Sequence, residues 1–260
     1  MAGEQWTDDA LADWYADYLR NVSASDWAQR YKRRSFDLIG VRSGARVIDI
    51  GCGLGADIRA IGAIVGPTGR AVGVDRDPKM IERAGDMERP VELACADAVQ
   101  LPYADGSFDG ARMDRVLQHS GKADVAIAEM RRVLRADGRA VCIEPDWGTY
   151  AVDLPDRALL RRVLDARADA FADGWIGRGL YRLFREAGFI DIRVDPFNAV
   201  MTDFAAAAKS VDLAHAHVIG IARGGVDDRE AQRWQELIAR ASEAPTFFSA
   251  ITFFMVSGTR

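Results

Sequence analysis

The chain has 260 residues, 34 basic against 39 acidic side chains for a formal net charge of -5, 49% hydrophobic and 28% charged residues. That balance excludes a disordered chain, which lacks the apolar content to offset its ordering entropy, and a nonspecific polyanion binder, which needs a basic face. The start MAGEQWTDD is acidic where a secretory signal is basic, and no apolar run approaches the ~18 residues of a membrane helix, so the expectation is a cytoplasmic protein with neither nucleic acid nor membrane as partner.

In chain order, residues 1–40 form a helical preface, because Leu11, Trp14, Tyr15, Tyr18 and Leu19, then Trp27 and Tyr31, recur at spacings of three and four. From Arg46 the pattern becomes strand and helix in alternation. The apolar run Val47 to Ile50 predicts a strand that ends at Gly51, Gly53 and Gly55. A helix over 56–65, a strand over 70–75, a helix over 77–86, strands at 91–95 and 108–114, and a helix over 122–135 follow. The strand 140–144 comes after a turn at Asp137 and Gly138. Short apolar strands separated by helices predict a doubly wound α/β sheet covered on both faces.

Pro145 to Pro155 reads as a loop, and helices are expected at 156–172 and 177–187, the second capped by Gly188. A strand at 190–195, helices near 203–222 and 228–243, and a final strand TFFSAITFFMVSG complete the chain. With no helix after it, that last strand is expected to join the sheet by a non-crossover route. Cys52, Cys95 and Cys142 are odd in number, far apart and set in apolar segments, which predicts reduced core residues and neither a disulfide nor a zinc site.

The loop Asp49-Ile50-Gly51-Cys52-Gly53-Leu54-Gly55 lies between a predicted strand and a predicted helix. Glycines there let the backbone turn tightly against a ligand, and the helix N-terminus offers free amides to an anionic group. Gly51, Gly53 and Ala56 also satisfy the dinucleotide fingerprint, so the loop by itself leaves the ligand open. Asp75 closes the second strand, where a carboxylate can accept from two ribose hydroxyls. Asp77 and Pro78 already supply an N-cap and first-turn proline for the next helix, which leaves Asp75 for a ligand. Asp97, after the third strand, can hold an exocyclic amine.

The segments VIDIGCGLG, VGVDRD, CADAVQLPYADGSFDGARMDRVLQH and EMRRVLRADGRAVCIEPDW together resemble the class I S-adenosylmethionine-dependent methyltransferases, over about residues 30–147. Within them the sequence is most similar to quinone-biosynthesis-type and natural-product small-molecule enzymes. The resemblance implies a Rossmann-like sheet of seven strands, the last antiparallel, with N-terminal helices and helical insertions forming a lid. It implies one domain over 1–260, divided into the preface, a cofactor-binding core at 41–147 and substrate-side helices and strands at 148–260. It further implies that Gly51, Cys52 and Gly53 contact the methionine part of S-adenosyl-L-methionine and that Asp75 holds the ribose. Arg76 would flank the adenine, Asp97 and Ala98 would contact it, and Met113 and Asp114 would pass beneath the sulfonium. Arg34 or Tyr31 would reach the methionine carboxylate. ADG replaces the usual PGG before the fifth strand, a change confined to a turn.

Methyl transfer from a sulfonium is an in-line displacement, so the protein mainly aligns nucleophile, carbon and sulfur. A hydroxyl or protonated amine acceptor also needs a base, and His119, just past the fourth strand, is the candidate. Glu144 and Asp146, after the fifth strand, can orient it and raise its basicity. His215 and His217 lack the spacing of a metal pair, and no metal is expected. Trp147, Tyr150, Trp175, Phe197 and Phe204 offer walls for a flat or hydrophobic small molecule. The expected activity is O- or N-methylation of a specialised metabolite by an enzyme that can act as a homodimer. A cyclase-like protein that keeps the cofactor without methyl transfer, and a nicotinamide oxidoreductase, are the alternatives.

Overall fold

The computed structural model describes residue 17, residues 19–211 and residues 213–260. Leu11, Trp14, Tyr15 and Tyr18 of the expected preface, and the side chain of His215, lie outside the described residues. The helix α1 (Asp26–Leu38) buries Ala28, Tyr31, Lys32, Ser35 and Phe36, the three-and-four spacing of one helical face. Two of those five are polar, which foreshadows an unusual interior.

The sheet is built from β1 (Arg46–Ile50), β2 (Arg70–Asp75), β3 (Val91–Cys95), β4 (Phe108–Asp114), β5 (Leu134–Pro145), β6 (Ala151–Val152), β7 (Ile190–Met201) and β8 (Ser249–Thr259). Its order is β3-β2-β1-β4-β5-β8-β6, with β7 on the other flank of β8. β1 to β5 run parallel, and β8 is antiparallel to β5, β6 and β7. This is the expected doubly wound Rossmann-like sheet with an antiparallel last strand, carrying one short strand more than the seven expected.

Alternate strand residues face opposite cores: Val47, Val141 and Ile143 belong to one, and Ile48, Ala140 and Cys142 to the other. The helix α2 (Ala56–Val65) supplies Ile58, Ile61 and Val65 to the first. The helices α4 (Ala123–Val133) and α6 (Ile176–Glu186) supply Ile127, Met130, Leu180 and Phe184 to the second. The helix α3 (Pro78–Ala84) follows β2, and α5 (Arg157–Ala168) lies between α4 and α6 in sequence. Beyond β7, α7 (Phe204–Val211), α8 (Ala216–Ala222) and α9 (Asp228–Glu243) precede β8.

Several boundaries differ from expectation for identifiable reasons. The single helix expected over 203–222 is divided into α7, a turn of tighter helix at Leu213–His215, and α8. The loop expected at 145–155 contains β6, which pairs with β8 through Ala151 and Val152. β7 continues past Pro196 to Met201, because it pairs only with β8 and a proline can occupy an edge strand. Cys95 is exposed, a correction to the expectation of a core thiol: β3 forms the outer edge of the sheet. Cys52 and Cys142 are buried as expected.

The end of α6 follows the predicted cap closely. Gly188 takes a φ of +82°, its N–H reaches the Arg185 carbonyl, and the Phe189 N–H reaches the Phe184 carbonyl. This pair of bonds is the Schellman arrangement, and the stacked rings of Phe184 and Phe189, 4.7 Å apart, supply its apolar contact.

Candidate functional site

A cavity of about 560 Å³ opens at the C-terminal ends of β1, β2 and β4, where open α/β sheets receive ligands. One end is the glycine loop. Gly51 and Cys52 both donate to the Val74 carbonyl, at 2.7 and 2.9 Å, which folds the loop back over β2. Gly51 has a φ of +77°, and a Cβ there would lie 2.2 Å from Cγ2 of Val116. Only glycine fits that turn.

Asp75 and Gly53 join the two strand ends. Gly53 N–H donates to Oδ2 of Asp75 at 2.9 Å, and Asp77 N–H donates to Oδ1 at 3.0 Å. Asp77 does cap the next helix, through the amide of Lys79 at 2.9 Å, yet this does not leave Asp75 free of protein partners. An ionised carboxylate has about four acceptor positions, so it retains capacity for a ligand diol. Arg76, Asp97 and Ala98 line the same end, with Ala98 buried and Asp97 exposed while accepting from the Val99 amide.

Beneath the loop lies a group of buried charges that sequence reasoning missed. Arg112, 1% exposed, reaches Asp49 at 2.9 Å, Asp57 at 3.0 Å and Asp114 at 2.6 Å, and its Nε donates to Ser35 Oγ at 3.0 Å. Lys32 adds a second cation at 2.9 Å from Asp57, and the Tyr31 hydroxyl donates to Asp114 at 2.9 Å. Burial pushes Asp49 up to about 6 despite the neighbouring Arg112. Burial also pushes Asp57 upward, but Arg112 and Lys32 outweigh it and hold the carboxyl below its ordinary range. Tyr31 is driven well above the usual phenol value by burial and by Asp114. The available signal was an arginine in the middle of an otherwise strand-forming run, FDGARMD.

The expected cofactor residues do not all reach the cavity. Asp114 lines it, whereas Met113 is fully buried in the core behind it. Arg34 points elsewhere, with a side chain 52% exposed and 3.8 Å from Asp195. The N-terminal segment instead brings Leu19, Arg20, Ser23 and Lys32 to the cavity wall, and Tyr31 acts through Asp114.

At the other end, His119 sits on a turn of tight helix, Leu117–His119, beside Phe171 at a ring distance of 5.4 Å. Burial, then the charges of Arg76 and Arg115, push its imidazole down to about 4. The shift favours the unprotonated ring and weakens it as a base relative to a free imidazole. Phe171 stacks on Trp147 at 5.0 Å, and the Trp147 indole N–H donates to Gln118 Oε1 at 2.8 Å. Of the five aromatic residues expected as acceptor walls, Trp147 lines the cavity. Tyr150 packs edge-on to Trp147, Phe197 against Tyr31 and Phe204 against Phe247, while Trp175 lies under the Arg178 guanidinium.

Glu144 and Asp146 have partners other than His119. Oε1 of the fully buried Glu144 accepts from the amides of Val116 and Leu117, at 2.7 and 2.6 Å, and so fixes the turn that carries His119. Burial raises Glu144 to about 8, more than those two amide bonds lower it. Asp146 binds Arg178 through both oxygens, at 2.5 and 2.8 Å, and accepts from Gly148 N–H at 3.1 Å. Both carboxylates hold the backbone around the site, and neither is aimed at the imidazole. His217 is buried, with its ring nitrogens near the Ala214 carbonyl and the Gln235 amide, and no metal-binding group occurs among the described residues.

Residues 48–142 match the family described as "Methyltransferase domain". The chain is 37% identical over 246 residues to an uncharacterized 37.1 kDa protein in a transposon of Streptomyces fradiae, covering 92% of this chain and 69% of that protein. It is 32% identical over 200 residues to the demethylmenaquinone methyltransferase of Staphylococcus aureus, covering 70% of this chain and 83% of the enzyme. Among solved structures, phosphoethanolamine N-methyltransferase 2 of Haemonchus contortus, in complex with S-adenosyl-L-methionine, shares the fold with a TM-score of 0.59 at 18% identity, covering 98% of this chain and 58% of that one.

Proposed function

The chain belongs to the S-adenosylmethionine-dependent methyltransferases, and from that premise we propose that it methylates oxygen or nitrogen of a small specialised metabolite in the cavity between the glycine loop and His119. The observation that carries this reading is the continuity of one cavity from Gly51, Gly53 and Asp75 at one end to His119, Phe171 and Trp147 at the other.

The residues present fit the cofactor. A side chain at Gly51 would strike Val116 and open the tight turn that borders the cavity, Asp75 retains acceptor capacity for a ribose diol, and Asp97 and Ala98 line the same end. When bound, S-adenosylmethionine supplies an electrophilic methyl group on a positively charged sulfur. Gly51 to Gly53 would hold its amino-acid end, with Arg20 and Lys32 as nearby cations, and Arg76 would flank the base.

His119 is the proposed proton acceptor for an acceptor hydroxyl or ammonium. A hydroxyl would pass its proton to the ring as its oxygen attacks, whereas an ammonium would have to lose its proton before its nitrogen can attack; the lowered value keeps the ring unprotonated and makes it a weaker base than a free imidazole. Glu144 positions it by gripping the Val116 and Leu117 amides. On this reading residues 1–260 act as one methyltransferase domain, with 41–147 holding the cofactor and the helices after residue 147 selecting the acceptor.

Incubation of the full chain with methyl-labelled cofactor and a panel of hydroxylated and amino acceptors tests the reading. Label in an acceptor supports it; tight binding of the cofactor with no transfer to any acceptor counts against it and favours a cyclase-like role.

A further inference from the structure

Gln118 joins two residues of the acceptor end: it precedes His119 on the tight turn and shares a hydrogen bond with Trp147. It lines the cavity although it is only 4% exposed. An indole N–H donates and never accepts, so the atom it meets at 2.8 Å is the amide oxygen of Gln118 and not the nitrogen. That contact fixes which way round the carboxamide sits. The NH2 group is the end turned from Trp147, and it has no hydrogen-bond partner among the described residues. Nor is it sealed in the core, so it opens on the cavity.

The donor is also held still. Glu144 accepts from the Val116 and Leu117 amides, and the Asp173 N–H donates to the Gln118 carbonyl at 3.1 Å. On the side-chain side, Trp147 stacks on Phe171 at 5.0 Å, and Phe171 meets the His119 ring at 5.4 Å. Gln118 is thus fixed at both ends relative to His119. A polar group ordered in advance in a nearly buried wall favours the ligand that completes its hydrogen bond over one that leaves it unpaired. The amide is neutral, so it matches a neutral oxygen and brings no counter-charge to offset the desolvation of an anion. A carbonyl oxygen, with two lone pairs and no proton of its own, is such an acceptor.

We propose that Gln118 determines specificity by donating its side-chain N–H to a carbonyl oxygen of the acceptor, which makes the substrate class hydroxylated carbonyl compounds. The inference rests on the methyl-transfer reading above and specifies its substrate class.

The test uses the full chain saturated with S-adenosylhomocysteine and two matched pairs of probes, titrated by calorimetry. These are 1-acetyl-2-naphthol against 1-ethyl-2-naphthol, and 6-acetyl-2-naphthol against 6-ethyl-2-naphthol, which differ within each pair only by the carbonyl. In at least one pair the wild type is expected to bind the acetyl compound about fivefold or more tightly, the scale of one net hydrogen bond. That ratio should fall toward one in Gln118→Leu. It should fall part of the way in Trp147→Phe, which keeps the amide but frees it to rotate. A role confined to holding Trp147 would instead weaken acetyl and ethyl probes alike and leave the ratio unchanged. S-adenosylhomocysteine affinity, measured first in each protein, reports whether the cofactor end is folded. Its absence in the wild type would overturn the methyl-transfer reading as such. If Gln118→Leu alone loses it, the wild-type ratio and its partial fall in Trp147→Phe carry the test. Equal binding within both pairs, a ratio unchanged in Gln118→Leu, or no binding of any probe to the loaded wild type would overturn the proposal while leaving methyl transfer standing.

Discussion

The carboxylate of Asp75 receives the amide of Gly53 at 2.9 Å, so the acid that ends β2 braces the loop that follows β1. One side chain thereby links the shape of the cradle to the group proposed to hold the sugar.

Asp75→Ala should therefore weaken S-adenosylhomocysteine binding by about 1.5–3 kcal/mol, the range for lost hydrogen bonds to a charged group. Calorimetry on the purified variant reads this directly. An unchanged dissociation constant would remove the ribose assignment.

Gly51→Ala should be more damaging. The new methyl group would enter Val116, 2.2 Å away, at a φ of +77° that disfavours any side chain. Left-handed strain and overpacking together suggest a loss of about 2–5 kcal/mol in stability. Denaturant unfolding would show it, and a midpoint equal to the wild type would contradict the tight loop.

Arg112→Met should cost about 3–5 kcal/mol, because Asp49, Asp57 and Asp114 would lose their shared cation while still buried. Adding Asp49→Asn should recover part of the loss. A double variant no more stable than the single would show that the acids are not repelling one another.

His119→Ala should lower turnover about a hundredfold or more if the imidazole is the base. Because the folded value is near 4, an acidic limb governed by His119 in the cofactor-loaded enzyme should appear near that pH. The unfolded chain binds the imidazole proton more readily, so this residue's contribution to stability is present above about 6.5 and is lost as pH falls toward 4. A turnover profile that breaks at the ordinary histidine value would contradict the buried, desolvated ring.

Glu144→Gln isolates a group of the opposite sign. Glu144 is raised to about 8, so its neutral form suits the interior, and the wild type should lose stability relative to the variant as pH rises from about 4.5 to about 8. The difference should grow by at most about 1.4 kcal/mol per pH unit. The glutamine carbonyl can still accept from Val116 and Leu117, which keeps the His119 turn in place. Parallel stability curves for the two proteins would rule out a raised Glu144.

Local pattern was sufficient where local forces decide. The spans 56–65, 70–75, 91–95 and 108–114 agree with α2, β2, β3 and β4, and the C-terminal cap at Gly188 was visible in its glycine. What could not be read depended on distant partners. β6 exists because β8 lies beside it, and β7 passes through Pro196 because its outer edge is unpaired. In the candidate site, His119 and Asp75 were legible from their places after strands. The contacts of Arg112 with Asp49, Asp57 and Asp114 were not, since nothing in a strand's alternation says which acids will converge on a buried guanidinium. Glu144 shows the same limit: its position was read, but its partners are amides of another segment.

The placement of β8 has a consequence for how the protein comes into being. During synthesis the ribosome delivers β8 after the other seven strands, yet its berth is interior, flanked by β5 on one side and β7 on the other. Until it arrives, the nascent chain holds β5 with an open flank and β7 without a neighbour, a period of exposed strand edges. The β1 to β4 part of the sheet can assemble early, while the flank of β5 waits for the final insertion.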